Sequence, residues 1–111
     1  MLENGINPLV EKMLDFTARR QQTISSNLAN LDTPGYQAKD IQFHDALSTA
    51  NSSIDEVEVD DANVKANGNN VDLEKQMTQM TQNGLQYVLL VEYLRSNIQS
   101  IKTAITEGGK P

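Results

Sequence analysis

No cysteine occurs in the 111 residues, which excludes disulfides and thiolate metal sites without fixing a compartment. Tryptophan is absent as well, and two Phe and three Tyr supply little bulk for a compact core. There is a single histidine, His44, and no glycine-rich phosphate loop, so a catalytic or cofactor site has few residues to draw on. His44 reads as an ordinary surface residue, and neither enzymatic activity nor a bound cofactor is expected. Basic residues are outnumbered, nine Lys and Arg against fifteen Asp and Glu. With a net charge of −6 and one basic pair, Arg19-Arg20, the chain lacks the cationic cluster that nucleic-acid phosphates call for. The longest apolar run, Val88-Leu89-Leu90-Val91, is far short of a membrane span. Met1-Leu2-Glu3-Asn4 has neither a basic region nor an apolar run, so a cleaved signal peptide is not expected.

One metal-binding pattern needs rejection. Asn63, Asn67, Gly68 and Glu74 fall at positions 1, 5, 6 and 12 of an EF-hand loop. Lys65 then occupies position 3, where an oxygen ligand belongs, and no suitable helix precedes the loop. No metal is expected there.

What the chain has in quantity is heptad periodicity. Between Val71 and Ile105 one set of heptad positions holds Met77, Gly84, Val91, Ile98 and Ile105, and the other holds Leu73, Met80, Tyr87, Leu94 and Ile101. Alternation of threes and fours over nearly five heptads is the pattern of a helix packed along its length against another helix. Such a helix, about 50 Å long, exceeds the core of so small a domain. Gly84 interrupts the apolar series. It is either a tolerated glycine that weakens the helix by about 1 kcal/mol, or the site of a bend or close backbone approach.

A second, weaker seam runs through Val10, Leu14, Thr17, Gln21, Ile24, Leu28 and Leu31, polar at its centre. Asn7-Pro8 suits a helix start, and Glu11 favours the positive end of the helix dipole. Pro34 ends the helix, and Thr33-Pro34-Gly35-Tyr36 suits a type II turn. Ile41, Phe43 and Leu47 read as an extended piece or one helical turn. Val57 and Val59 alternate with acids as a short exposed strand in the acidic run 55–61. Asn70 suits the N-cap of the second helix, with Asp72 and Glu74 in its first turn and Gly108-Gly109 at its end. The expectation is one domain over 1–111. It is mainly α: helices 8–31 and 71–107 pair as a coiled-coil hairpin, joined by an irregular segment 32–70 with at most a short β piece. A two-helix hairpin buries too little apolar surface to offset chain entropy comfortably, so neighbouring subunits are expected to cover the rest.

Ser26-Asn27-Leu28-Ala29-Asn30-Leu31-Asp32-Thr33-Pro34-Gly35-Tyr36 resembles the N-terminal signature of the bacterial flagellar axial-protein superfamily of rod, hook and hook-associated proteins, carried by Ser26, Asn27, Leu28, Ala29, Asn30, Thr33, Pro34, Gly35 and Tyr36. The chain is too short for the β-domains of hook or distal rod proteins. Gln37-Ala38-Lys39-Asp40-Ile41-Gln42-Phe43 is similar to proximal rod subunits, and Gly68-Asn69-Asn70-Val71-Asp72-Leu73-Glu74 resembles the C-terminal helix entry of the flagellar basal-body rod protein B (FlgB) type. The alternatives are the rod protein C type and a coiled-coil adaptor unrelated to flagella. The resemblance implies a structural subunit of the proximal rod, assembled helically with itself and other rod subunits beside the basal-body ring and export apparatus. It implies torque transmission across the periplasm and type III export without a cleaved signal. Phe43 and Leu47 resemble the short Phe-based motif read at the export gate; the alternative is a local hydrophobic contact.

Overall fold

A computed structural model of the chain describes residues 8–44, 53–59 and 63–108. Its elements, in order, are helix α1 (Pro8–Ala29), strands β1 (Lys39–His44) and β2 (Ser53–Glu58), and helix α2 (Leu73–Gly108). The fold is mainly helical, a long hairpin with a small two-stranded sheet between its arms.

α1 starts on Pro8, whose missing N–H is one the first turn could not have used. The expected N-cap, Asn7, lies outside the described residues. α1 ends at Ala29, two residues before the expected Leu31. Asn30 Nδ2 donates to the Ser26 carbonyl (2.8 Å), and the Leu31 amide closes a tighter turn on Leu28 (3.2 Å). Chain reversal follows at once. The Tyr36 amide donates to the Thr33 carbonyl (3.2 Å), and Gly35 at φ 73° takes the third position of the turn, which only glycine enters without strain.

The stretch through Phe43 is a strand, not a helical turn. β1 and β2 are antiparallel, in register from Lys39↔Glu58 to His44↔Ser53. Val59, expected within the strand, follows it, and its amide donates to the Ala38 carbonyl (2.8 Å). The sheet is fastened to α1 on two sides. Phe43 meets Phe16 edge to face (centroids 5.7 Å apart), and Arg20 forks onto both carboxylate oxygens of Asp40 (3.1 and 3.2 Å).

α2 begins at Leu73, two residues later than expected, because the cap is Asp72 and not Asn70. The Lys75 amide donates to Asp72 Oδ1 (3.1 Å) and the Gln76 amide to the Asp72 carbonyl (3.0 Å). Asn70 is turned inward to other partners. α2 has 36 residues against 22 in α1, about 54 Å against 33 Å. The two run antiparallel, since Asn27 meets Gln76 while the earlier Thr17 meets the later Asn83. Among the described residues the buried apolar side chains are Ile24, Ala38, Ile41 and Val71, gathered where the end of α1, the start of β1 and the entry to α2 converge.

Candidate functional site

That convergence is fastened by asparagines. Asn27, 0% exposed, uses its whole carboxamide: Nδ2 donates to the Lys39 carbonyl (2.7 Å) and Gln76 Oε1 (3.1 Å), and Oδ1 accepts from the Lys39 amide (3.0 Å) and the Tyr36 hydroxyl (3.1 Å). One side chain therefore joins α1, the turn, β1 and α2. Asn69, also 0% exposed, donates from Nδ2 to the carbonyls of Asn30 (2.7 Å) and Thr33 (2.8 Å), and accepts the Val71 amide (2.8 Å). Asn70 accepts the Ala38 amide and donates to the Val59 carbonyl (3.0 Å). Gly68, at φ 85°, brings its backbone against Gly35, so that a Cβ there would stand 3.4 Å from Gly35 Cα; the Gly35 amide donates to the Asn67 carbonyl (2.9 Å). The stretches that carry the resemblance, 26–36, 37–43 and 68–74, thus meet in one interlock. Lys65 belongs to it as well, its ammonium donating to the Leu31 carbonyl (2.9 Å). Among the described residues no cluster of three or more His, Cys, Asp and Glu could hold a metal.

The helix pair continues the amide pattern. Asn83 Nδ2 donates to the Thr17 carbonyl (2.9 Å) and to Gln21 Oε1 (3.2 Å), and Gln76 and Asn83 are the two fully buried side chains of α2. Thr17 and Thr23 fold their hydroxyls back onto the carbonyls of Leu14 (2.9 Å) and Arg19 (3.1 Å). Asn83 Oδ1 alone is buried with no partner among the described residues. Such an acceptor costs about 1–3 kcal/mol.

The face that α2 turns to α1 is therefore only in part the apolar seam. It is rotated from the seam's centre by about half a residue's step, so that alongside α1 Gln76 and Asn83 are buried and Met80 and Leu90 half-buried. Leu73, Met77, Tyr87, Ile98 and Ile105 stay 50%, 52%, 46%, 39% and 72% exposed, with Val88 beside them; Val91 is half-buried. Ile98 and Ile105 stand past Pro8, where α1 starts and no longer lies beside α2; alongside α1 the reason is chemical matching. The facing side of α1 offers Thr17, Gln21 and Asn27, which an apolar face would leave without hydrogen bonds. On α1 itself Ile24 is buried and Val10, Leu14 and Leu28 are half-buried, as is Leu31 just beyond its end.

Among the described residues Gly84 makes no close approach, and a Cβ there would meet open space. The space is a cleft of about 560 Å³ between the helices, walled by Ala18, Gln22 and Ser25 of α1 and by Gly84 and Tyr87 of α2. The remaining signature residues lie around the turn: Ser26, Ala29, Thr33, Pro34 and Gly35 exposed, Asn30 and Tyr36 half-buried. Phe43 is half-buried in β1, whereas Leu47 lies outside the described residues. Sequence reasoning missed the structural use of Asn69, Asn70, Gln76 and Asn83. The signal available was the abundance of amides, 20 Asn and Gln in 111 residues.

Known proteins place this architecture. The family described as flagella basal body rod protein matches residues 15–37, most of α1 and the turn. The flagellar basal body rod protein FlgB of Bacillus subtilis is 33% identical over 128 aligned residues, covering 98% of each chain. The proteins of the same name from Escherichia coli and Salmonella typhimurium are 27% identical, over 88% of this chain and 91% of theirs.

Proposed function

The chain belongs to the flagellar basal body rod protein FlgB family and is a structural subunit of the basal body rod, and from that premise we propose how it builds the proximal rod and transmits torque. The residues form a single domain whose interlock fixes the angle between two helices, and whose outward seam is completed by other subunits. The observation that carries this reading is the exposure of Leu73, Met77, Tyr87, Ile98 and Ile105 along one side of α2. A heptad stripe of that length left to water has no use in a single chain, and a second helix laid on it buries it. Its partners are other copies and other rod subunits, in a rod that crosses the periplasm. Neither catalysis nor a cofactor enters this role. No described helix is long and apolar enough to cross a membrane.

Export precedes folding in this reading. Phe43 packs on Phe16 once α1 and β1 are joined, so an export receptor reads Phe43, with Leu47, on the unfolded chain and needs no cleaved signal. The test uses a strain lacking the endogenous protein. The chain restores motility and co-purifies with basal bodies, Met77→Asp abolishes both, and Phe43→Ala lowers the exported amount. Absence of the intact chain from purified basal bodies refutes the reading.

A further inference from the structure

Asparagine followed by glycine occurs at Asn4-Gly5, Asn67-Gly68 and Asn83-Gly84. This dipeptide is prone to spontaneous deamidation, because glycine puts no side chain in the way when its amide nitrogen closes on the asparagine carboxamide. Asn4-Gly5 lies outside the described residues, and the structure treats the other two pairs oppositely.

Asn67 is exposed, so water and hydroxide reach it. Its Oδ1 accepts the Asn69 amide (3.1 Å), an Asx turn. Such a turn copies a β-turn with a side chain in place of main chain, and so folds Cγ over the next amide nitrogen, that of Gly68. The same Asn69 N–H polarises the Cγ carbonyl and faces the oxygen on which negative charge develops during attack. The Gly68 amide donates to the Lys65 carbonyl (2.9 Å). That bond lies in the peptide plane, whereas attack uses the nitrogen orbital perpendicular to it. Asn83 is the opposite case. It is 2% exposed, and its Nδ2, the group that would leave, is held by the Thr17 carbonyl and Gln21 Oε1. Gly84 is interior to α2, where helical geometry turns the Asn83 side chain toward the preceding turn and away from the next amide.

We propose that Asn67 is a self-modification site of the folded chain, converting to aspartate and isoaspartate, and that the isoaspartate form releases the latch between Gly68 and Gly35. Hydroxide takes the Gly68 amide proton, the nitrogen bonds to Asn67 Cγ, and the Cγ–Nδ2 bond breaks. Nδ2 takes a proton from water and leaves as ammonia, which regenerates hydroxide, and a succinimide ring remains. Water then opens one of the two ring carbonyls. Opening at the former main-chain carbonyl gives isoaspartate, whose main chain runs through Cβ and Cγ. The carbonyl that accepted the Gly35 amide (2.9 Å) thereby becomes a free carboxylate. The main chain is also longer by one carbon beside the point where Gly68 stands against Gly35.

The purified full chain is held in mildly alkaline buffer, natively and in concentrated urea. It is then digested in acid, which stops further conversion, and mapped by mass spectrometry with fragmentation that separates isoaspartate from aspartate. Native conversion is expected at Asn67 and at least about tenfold slower at Asn83, which reacts only when the hairpin opens. In urea the two sites react alike. A native chain that keeps Asn67 intact while the urea sample converts it, or that converts both sites at one rate, overturns the proposal. The isoaspartate form, isolated by chromatography, should unfold at lower urea than the Asn67→Asp variant, and coincident midpoints overturn the released latch.

Discussion

Replacing Asn27 by alanine tests the interlock at its centre. The carboxamide makes four hydrogen bonds to three segments, the turn at Tyr36, β1 at Lys39 and α2 at Gln76, and no atom of it reaches solvent. Each bond is worth about 1 kcal/mol net, and each buried group left without a partner costs about 1–3 kcal/mol. The Lys39 amide and carbonyl, Gln76 Oε1 and the Tyr36 hydroxyl all lose that partner together. A cavity the size of a carboxamide lets them relax in part or admit water, so the expected loss is about 3–5 kcal/mol. Whole domains of this size are stable by about 5–15 kcal/mol.

The assay is urea unfolding followed by far-ultraviolet circular dichroism at one fixed concentration, since assembly would otherwise contribute to apparent stability. Asn30→Ala is the internal control. It removes the same side chain three residues on, where the bonds are local ones to Ser26 and Thr33 at the surface, and should cost about 1 kcal/mol or less. The midpoint falls for Asn27→Ala with the slope unchanged. If Asn27→Ala lies within about 1 kcal/mol of the unmodified chain, or costs no more than Asn30→Ala, the amide interlock does not hold the hairpin and the reasoning fails.

Three further outcomes follow from the same geometry. Gly68→Ala places a Cβ at positive φ against Gly35 and should destabilise by about 1–2 kcal/mol, whereas Gly84→Ala meets nothing and should stabilise α2 by up to about 1 kcal/mol; melting curves separate the two signs. Met77→Asp alters an exposed position, so the isolated chain should unfold within about 0.5 kcal/mol of the unmodified one while incorporation into basal bodies is lost, and a large loss of subunit stability would contradict the outward seam. Arg20→Met breaks the forked pair with Asp40, both about a quarter exposed; it should cost about 1 kcal/mol at low salt and less at 1 M, as read by thermal melts at the two ionic strengths.

The two helices and the turn between them were legible because each rests on local chemistry. Pro8 starts a helix, Pro34 forbids one, and Gly35 enters the positive-φ corner of the turn. Helix ends were less legible. Asn70 and Asp72 are both good caps by type, and only the demand of the Ala38 amide and the Val59 carbonyl for partners draws Asn70 inward and leaves the cap to Asp72. The strand through Phe43 depends on a register running from Lys39↔Glu58 to His44↔Ser53, which no local pattern encodes. The orientation of α2 was the deepest omission. Periodicity found an apolar stripe and divided it between the nearest helix and neighbouring subunits, but a stripe carries no label for which residues go to which partner.

That omission identifies what the sequence pattern is for. In a free-standing coiled coil the apolar stripes face each other and the amides face water. Here the order is reversed in part, with Met80, Val91 and Leu94 still half-buried. Asn27, Gln76, Asn83, Thr17 and Gln21 are used within the chain, and Met77, Tyr87, Ile98 and Ile105 are left outside it. Hydrogen-bonded amides are directional, so they hold the hairpin at one angle even while its apolar area is uncovered. Apolar contact is strong and tolerant of small shifts, which suits contacts repeated between subunits. Gly84→Ala separates the two functions in one residue. It should raise the melting temperature of the isolated chain, because the methyl group meets nothing among the described residues, and lower its incorporation into basal bodies where a neighbouring subunit packs on the outward seam that includes Gly84. A variant that melts higher and assembles as well as the unmodified chain would show that nothing seats over Gly84.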